Sequence, residues 1–114
     1  MKGTHLGEFE EIILLLIGVL GENAYGLALA DAFEKEAGRT VAIGAVHSAL
    51  NRLQEKGFVQ SEMKGATSER GGRRKRIFTI TAAGKRALVS ARDIRVSLWQ
   101  QIPDLSLGKL SFNV

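Results

Sequence analysis

The apolar residues of the segment 40–58 repeat at the spacing of one face of an α-helix. Successive members of the set are three, four and three residues apart: Ile43, Val46, Leu50 and Leu53. This periodicity predicts an amphipathic helix with one buried side. Thr40 is the nearest residue that caps a helix start well, although the boundary could lie a residue or two later. Gly57 stands where a left-handed glycine ends a helix.

The opposite face of this helix carries small or hydrogen-bonding residues, and His47 lies on its flank. The face consists of Gly44, Ala45, Ser48, Asn51, Arg52 and Glu55. Such a face can approach a flat polar partner closely. DNA is one such partner, because Asn and Arg pair with base edges and Ser binds phosphate. The alternative is an ordinary amphipathic helix with a solvated face, which we favour when this helix is considered alone.

Two further helices are predicted on the amino-terminal side. Leu6–Leu20 is apolar on nearly all sides in its second half, as expected of a central core helix, and Gly21 ends it. Ala24–Ala37 follows, with Asn23 as its predicted cap and Gly38 at its end. A link of about four residues, Gly38 to Val41, then leads into the third helix, which is the spacing of a helix-turn-helix.

A β-hairpin is predicted after the third helix. Phe58–Met63 alternates apolar and polar residues, and Ile77–Ile80 is a second β-prone run that residues 73–76 extend backward. The residues between the two runs are rich in glycine, as expected of the tip of a hairpin.

A long helix is predicted to complete the chain. Thr81 caps it, it runs from Ala82 to about Ile102, and Pro103 ends it. The predicted fold class is therefore mainly α with a small β-hairpin: a winged helix-turn-helix in residues 1–80, followed by a helix and tail in residues 81–114. The last helix has apolar residues on more than one side, which predicts that a second copy of the chain covers it.

The positive charge is concentrated on the predicted hairpin. The whole chain has a formal net charge of +4, but residues 64–76 alone carry +5 and the remainder carries −1. A basic block on a nearly neutral body indicates contact with a polyanion.

Composition excludes several other classes of function. The chain has no cysteine, which rules out a disulfide framework and a thiolate metal site and fits a cytoplasmic protein. Ile12–Leu20 is too short to span a bilayer, so no membrane association is expected. His47 and Ser48 are neighbours on one helix and diverge by about 100°, so they cannot act as a base and a nucleophile. We expect no catalytic site, no metal and no cofactor, and a solvated helix start at Glu8, Glu10 and Glu11.

Several motifs, in this order, resemble the PadR family of bacterial transcriptional regulators. They are Ala24-Tyr25-Gly26, the run from Gly44 to Leu53, Glu55-Lys56-Gly57-Phe58-Val59, Gly71-Gly72-Arg73-Arg74-Lys75-Arg76 and Phe78-Thr79-Ile80-Thr81-Ala82-Ala83-Gly84. The family pattern often has Tyr and Pro in the recognition helix where this chain has His47 and Ser48. The resemblance implies a homodimeric DNA-binding repressor whose C-terminal helix dimerises.

These considerations together predict the site residues. The predicted contacts to double-stranded DNA are Tyr25, Thr40, Gly44, His47, Ser48, Asn51, Arg52, Arg70, Arg73, Arg74 and Arg76. The predicted dimer interface consists of Leu6, Phe9, Leu88, Ile94, Val96, Leu98, Trp99 and Ile102. Trp99 could also form a wall of a pocket for a planar aromatic effector, as the resemblance allows, although we favour simple packing. A further alternative is a winged-helix module that docks protein or RNA without reading bases.

Overall fold

The computed structural model of the chain describes residues 5–65 and 74–103. Its elements confirm the predicted order of three helices, a hairpin and a long helix. They are α1 (Glu8–Leu20), a 3₁₀ turn (Gly21–Asn23), α2 (Gly26–Ala37), α3 (Ile43–Glu55), β1 (Val59–Gly65), β2 (Arg74–Ile80) and α4 (Ala82–Gln101). The predicted hairpin tip with Arg70 and Arg73, and the predicted tail, lie outside the described residues.

The core lies where α1, α2 and α3 pack against one another. Ile13 and Leu14 of α1, Leu29 of α2, and Val46 and Leu53 of α3 are all completely buried. The ring of Phe9 meets that of Phe33 edge to face, with centroids 5.1 Å apart. The apolar sides of α1 and α2 therefore face each other and the buried side of α3.

The hairpin is fixed to this helical body through its second strand. β1 and β2 pair antiparallel, with Val59 opposite Ile80 and Gly65 opposite Arg74. The Phe78 N–H donates to the carbonyl oxygen of Ala24 at 2.9 Å, so β2 is also bonded to the segment that leads into α2. The basic residues at the start of β2 are thereby held beside the start of α2.

The predicted end of α3 at Gly57 is confirmed. Gly57 has a φ of +79°, which is the left-handed conformation. Its N–H donates to the Gln54 carbonyl at 3.0 Å, and the Phe58 N–H donates to the Leu53 carbonyl at 2.9 Å. This pair of bonds is the Schellman motif, and it turns the chain directly from α3 into β1.

The predicted start of α4 is confirmed as well. The Gly84 N–H donates to Thr81 Oγ1 at 3.0 Å, while that hydroxyl donates to the Gly57 carbonyl at 2.7 Å. A Cβ on Gly84 would lie 2.3 Å from the carbonyl oxygen of Phe58. The Thr-x-x-Gly sequence is therefore required because α4 begins against the backbone of the turn between α3 and β1.

Two helices start later than the nearest cap that the sequence offered, and for α3 the start lies within the two-residue margin given above. α2 begins at Gly26, with Tyr25 rather than Asn23 before it, because the Ala24 carbonyl is bonded to β2 and the preceding residues form the 3₁₀ turn. α3 begins at Ile43, with extended Ala42 as its N-cap, so Thr40 does not cap it.

Ile43 was also assigned wrongly to the buried stripe of α3, since it is 42% exposed. The half-buried residue of this region is Val41, which packs against the core from the link between α2 and α3. Because the link is extended up to Ala42, the buried stripe of α3 begins one turn later, at Val46.

Candidate nucleic-acid interface

A groove of about 880 Å³ separates α3 from β2, and the start of α2 forms its end. The hydrogen bond from the Phe78 N–H to the Ala24 carbonyl holds β2 beside the start of α2 at this end of the groove. Its lining residues are Tyr25, Gly26, Leu27, His47, Leu50, Asn51, Gln54, Arg74, Lys75, Arg76 and Phe78. Five predicted DNA contacts meet here: Tyr25, His47, Asn51, Arg74 and Arg76.

The α3 wall of the groove is formed by residues three and four positions apart. His47, Asn51 and Gln54 are exposed, while Leu50 between them is buried and anchors the helix. The crest of α3 beside this wall carries Gly44 and Ser48, both exposed. Apart from the backbone of α3 itself, no atom of the described residues lies within 4 Å of the position that a Cβ on Gly44 would occupy, so the crest is open in this part of the structure. The polar face predicted for the helix is therefore accessible over its whole length.

The β2 wall of the groove is basic. Alternation along the strand places Arg74 and Arg76 on one side, and both are exposed. The Arg76 guanidinium donates to Ser61 Oγ across the hairpin at 3.1 Å. Lys75 also lines the groove, and its Nζ lies 4.2 Å from the centre of the Tyr25 ring, a cation–π contact that holds this ammonium at the end of the groove.

The groove is electropositive throughout its described lining, which contains three cations and no aspartate or glutamate. The first turn of α2 opens at its end, and no side chain caps that turn. Unpaired N–H groups at a helix start add partial positive charge. Every fixed charge in the described lining therefore favours an anion.

Arg52 lies on the far side of α3 and is bonded to α1. Its Nε donates to Glu10 Oε2 at 2.5 Å, and Lys56 Nζ donates to Glu10 Oε1 at 2.7 Å. The Gly7 N–H also donates to Oε1, at 3.2 Å. The Arg52 side chain remains 48% exposed, so it is held in place while still reaching solvent.

The prediction of a solvated acidic helix start is wrong for Glu10, which is only 6% exposed. Burial by itself would raise the pKa of Glu10. The hydrogen bonds from Lys56, Arg52 and the Gly7 N–H outweigh burial, so the pKa of Glu10 lies below its ordinary value. Glu10 is therefore a charged anchor that ties the end of α3 to α1.

The other predicted contacts lie outside the groove lining. Thr40 is exposed in the link before α3. Arg70 and Arg73 lie outside the described residues.

The predicted dimer residues lie along α4 and on the neighbouring side of α1. Ile94, Leu98, Trp99 and Ile102 are 41–60% exposed, whereas Leu88 and Val96 are half-buried. An ion pair of 2.7 Å between Arg95 and Glu11 joins α4 to α1. Shallow grooves of about 440 and 360 Å³ run on the two sides of this ion pair, and Leu6 lines the first and Trp99 the second. Phe9 is half-buried against Phe33 of its own chain.

Other kinds of site were sought in residues 5–65 and 74–103. No group of three metal-ligating side chains occurs in these ranges. No helix within them is long and apolar enough to cross a membrane.

Sequence comparison decides the family. Residues 14–90, more than half of the chain, match the model described as "Transcriptional regulator PadR-like family". The chain belongs to the PadR-like family of transcriptional regulators. The predicted resemblance is confirmed, and so is the winged helix-turn-helix fold that it implied. None of the curated proteins is significantly similar to the chain in sequence.

Several solved structures share this fold. A PadR-like transcription factor from B. fragilis is 23% identical, with a TM-score of 0.68, over 82% of this chain and 85% of its own. RosR of H. salinarum is 27% identical, with a TM-score of 0.63, over 95% of this chain and 88% of its own. Bacillus subtilis PadR, solved in complex with operator DNA, is 20% identical, with a TM-score of 0.60, over 75% of this chain and 46% of its own.

Six residues that line the groove of this PadR-like protein were absent from the predicted site, and three of them, Gln54, Lys75 and Gly26, bear on its chemistry. Gln54 follows Asn51 by one helical turn, so the periodicity that identified Asn51 could also have identified Gln54. Lys75 was passed over in favour of its arginine neighbours, although the charge block included it. Gly26 belongs to the Ala24-Tyr25-Gly26 motif, but its contact with His47 had no local signal, because His47 lies 21 positions further along the chain.

Proposed function

We propose that this PadR-like protein binds double-stranded DNA in a sequence-specific manner, with α3 in the major groove and the hairpin against the phosphate backbone. The groove between α3 and β2 carries the proposal, because amides form one wall and cations the other. Amides pair with base edges and cations bind phosphates. Bacillus subtilis PadR, which shares the fold, was solved bound to operator DNA and supports the same use of this one.

Each predicted contact then has a role that follows from its position. Asn51 and His47 contact base edges in the major groove from α3. Gly44 and Ser48 are small and allow the crest of α3 to approach the DNA closely. Arg74 and Arg76 bind phosphates, and Tyr25 holds Lys75 toward them. Arg52, which keeps part of its guanidinium in solvent, binds a phosphate at the far end of α3, and Thr40 does so at the near end. Arg70 and Arg73, which lie outside the described residues, remain predicted phosphate contacts.

We also propose that the functional unit is a homodimer joined through α4. The exposed side chains of α4 continue onto α1, where Leu15 and Val19 are 48% and 75% exposed. Contiguous apolar surface of this kind marks a protein interface. A two-fold dimer would present two copies of α3 to half-sites about one helical turn apart.

A repressor is the form of regulation that the family resemblance supports. A dimer bound to both half-sites would exclude other proteins from the same stretch of DNA. The groove beside Trp99 could hold a planar aromatic effector between subunits, since its apolar walls come from α1 and α4. Saturable quenching of Trp99 fluorescence by planar dyes would support this site, and the absence of quenching by any dye would leave Trp99 as a packing residue.

The direct test is selection of bound duplexes from a random DNA pool. The proposal expects a palindromic consensus whose half-sites are centred about 10 base pairs apart or a multiple of that distance. Binding without a consensus would contradict base reading and favour a module that grips phosphates only. Equal or tighter binding to RNA would favour the alternative of an RNA-docking module.

A further inference from the structure

The imidazole of His47 is seated against a glycine at the start of α2. A Cβ on Gly26 would lie 2.8 Å from His47 Cε1, 3.4 Å from Nε2 and 3.6 Å from Nδ1. Any side chain at position 26 would therefore displace the ring, because contacts under 3.0 Å do not occur between unbonded carbons. Gly26 itself is buried, so the seat is fixed by the packing of α2 on α3.

The seat leaves the ring nitrogens available to a ligand in the groove. His47 is exposed, and neither nitrogen has a hydrogen-bond partner among the residues that the structure describes. The titratable and charged groups that line the groove with it are Tyr25 at the start of α2 and Arg74, Lys75 and Arg76 on β2. The α3 wall contributes only the neutral amides of Asn51 and Gln54.

The chemistry of imidazole couples this contact to pH. Imidazole changes its charge between about pH 5 and 8, and the groove that His47 faces is lined by cations. DNA brings phosphates that neutralise those cations and acceptor atoms that bond best to a protonated ring. Binding of DNA therefore favours the protonated form of His47.

We propose that His47 takes up a proton from solvent when the protein binds DNA and donates a charge-assisted hydrogen bond to an acceptor on the duplex, so that DNA affinity rises as the pH falls. Gly26 is a positioning residue for this contact, since it sets the direction of the ring. The inference rests on the proposed function, because it concerns the same groove. The acceptor is a phosphate oxygen or a base acceptor atom, which share the same chemistry.

The chain offers a matched control, since His5 is its only other histidine. His5 is exposed, and its contact with Lys56 uses its backbone carbonyl, which a substitution keeps. Affinity would be measured at several values between about pH 6 and 8, at fixed ionic strength, for the wild type, His47→Asn, His5→Asn and Gly26→Ala. The probes are a selected duplex of about 30 base pairs, long enough for two half-sites, and a scrambled duplex of the same length.

The proposal expects the wild type and His5→Asn to bind roughly tenfold more tightly per subunit at the low end of this range, the gain typical of a charge-assisted hydrogen bond. His47→Asn should lose most of this dependence, and Gly26→Ala should reduce it while circular dichroism shows the same helix content. Dependence on both duplexes would indicate a phosphate acceptor, and dependence on the selected duplex alone would indicate a base. The Cε1–H resonances of the two histidines give a second readout, in which His47 but not His5 stays charged to a higher pH in the complex.

Equal pH dependence in the wild type and His47→Asn would overturn the inference while leaving DNA binding intact. Full dependence in a folded Gly26→Ala protein would overturn the positioning role of Gly26. Failure of the wild type to bind either duplex at any pH would instead overturn the proposed function.

Discussion

Replacing both Arg74 and Arg76 with alanine should weaken DNA binding and reduce the dependence of the affinity on salt concentration. Both side chains are exposed on the groove side of β2, outside the core, so the fold should persist. In a dimer the double variant removes four arginines. Each phosphate contact contributes about 0.9 to the slope of log affinity against log salt concentration, so the slope should flatten by roughly two to four units. The lower value applies if Arg76 keeps its hydrogen bond to Ser61 and does not contact a phosphate.

The assay is a salt titration of binding to a selected duplex and to a scrambled duplex. The double variant should lose affinity on both, because phosphate contacts carry little sequence information. Lys85→Ala combined with Arg86→Ala is the matched control, since it removes the same charge from exposed positions of α4 that do not line the groove. The control should keep a slope close to that of the wild type.

An unchanged slope in a folded Arg74→Ala/Arg76→Ala protein would refute the assignment of β2 to the phosphates. Equal flattening in the control would show that net charge alone, rather than the position of the arginines, determines the salt dependence. Circular dichroism of each variant separates these outcomes from unfolding.

Three other predictions concern stability and assembly. Glu10→Gln should lower the free energy of unfolding by about 1–3 kcal/mol near neutral pH. Because the pKa of Glu10 is lowered in the folded protein, its charge stabilises the fold fully above the ordinary pKa of 4.5, and this contribution is lost as the pH falls below that value. In urea titrations the difference from the wild type should therefore shrink below pH 4.5, and a constant difference would contradict this assignment. Gly84→Ala should lose about 2 kcal/mol or more because its Cβ would lie 2.3 Å from the Phe58 oxygen, and an unchanged melting temperature would disprove the close contact. Sedimentation at micromolar concentration should show a dimer for the wild type and a monomer of equal helix content for Leu98→Asp, whereas a monomeric wild type would contradict the proposed assembly.

The helix ends that depend on capping by neighbouring residues could be predicted from the sequence. Thr81 with Gly84, and Gly57 with its two backbone hydrogen bonds, were predictable because capping depends on residues only a few positions apart. The starts of α2 and α3 were not predictable in this way. The Ala24 carbonyl is engaged by Phe78 from the distant strand β2, which keeps the chain extended before α2.

The polar residues of α3 in the candidate site could be predicted, but the contacts that hold them in place could not. The polar face and the basic hairpin follow from periodicity and charge, which are properties of single segments. The anchoring of Arg52 by Glu10 joins residues 42 positions apart, and the packing of Gly26 against His47 joins two helices. Such pairs arise from tertiary packing, so one sequence without the fold could not reveal them.

The central claim is that the exposed face of α3 reads base sequence, and Asn51 tests it most directly because it is exposed and lines the groove. The measurement compares the affinities of the wild type and Asn51→Ala for a selected duplex and a scrambled duplex at one salt concentration. We expect the substitution to cost about 1–3 kcal/mol on the selected duplex and much less on the scrambled one, since a bidentate amide contact recognises one base. Equal losses on the two duplexes would contradict base reading by α3.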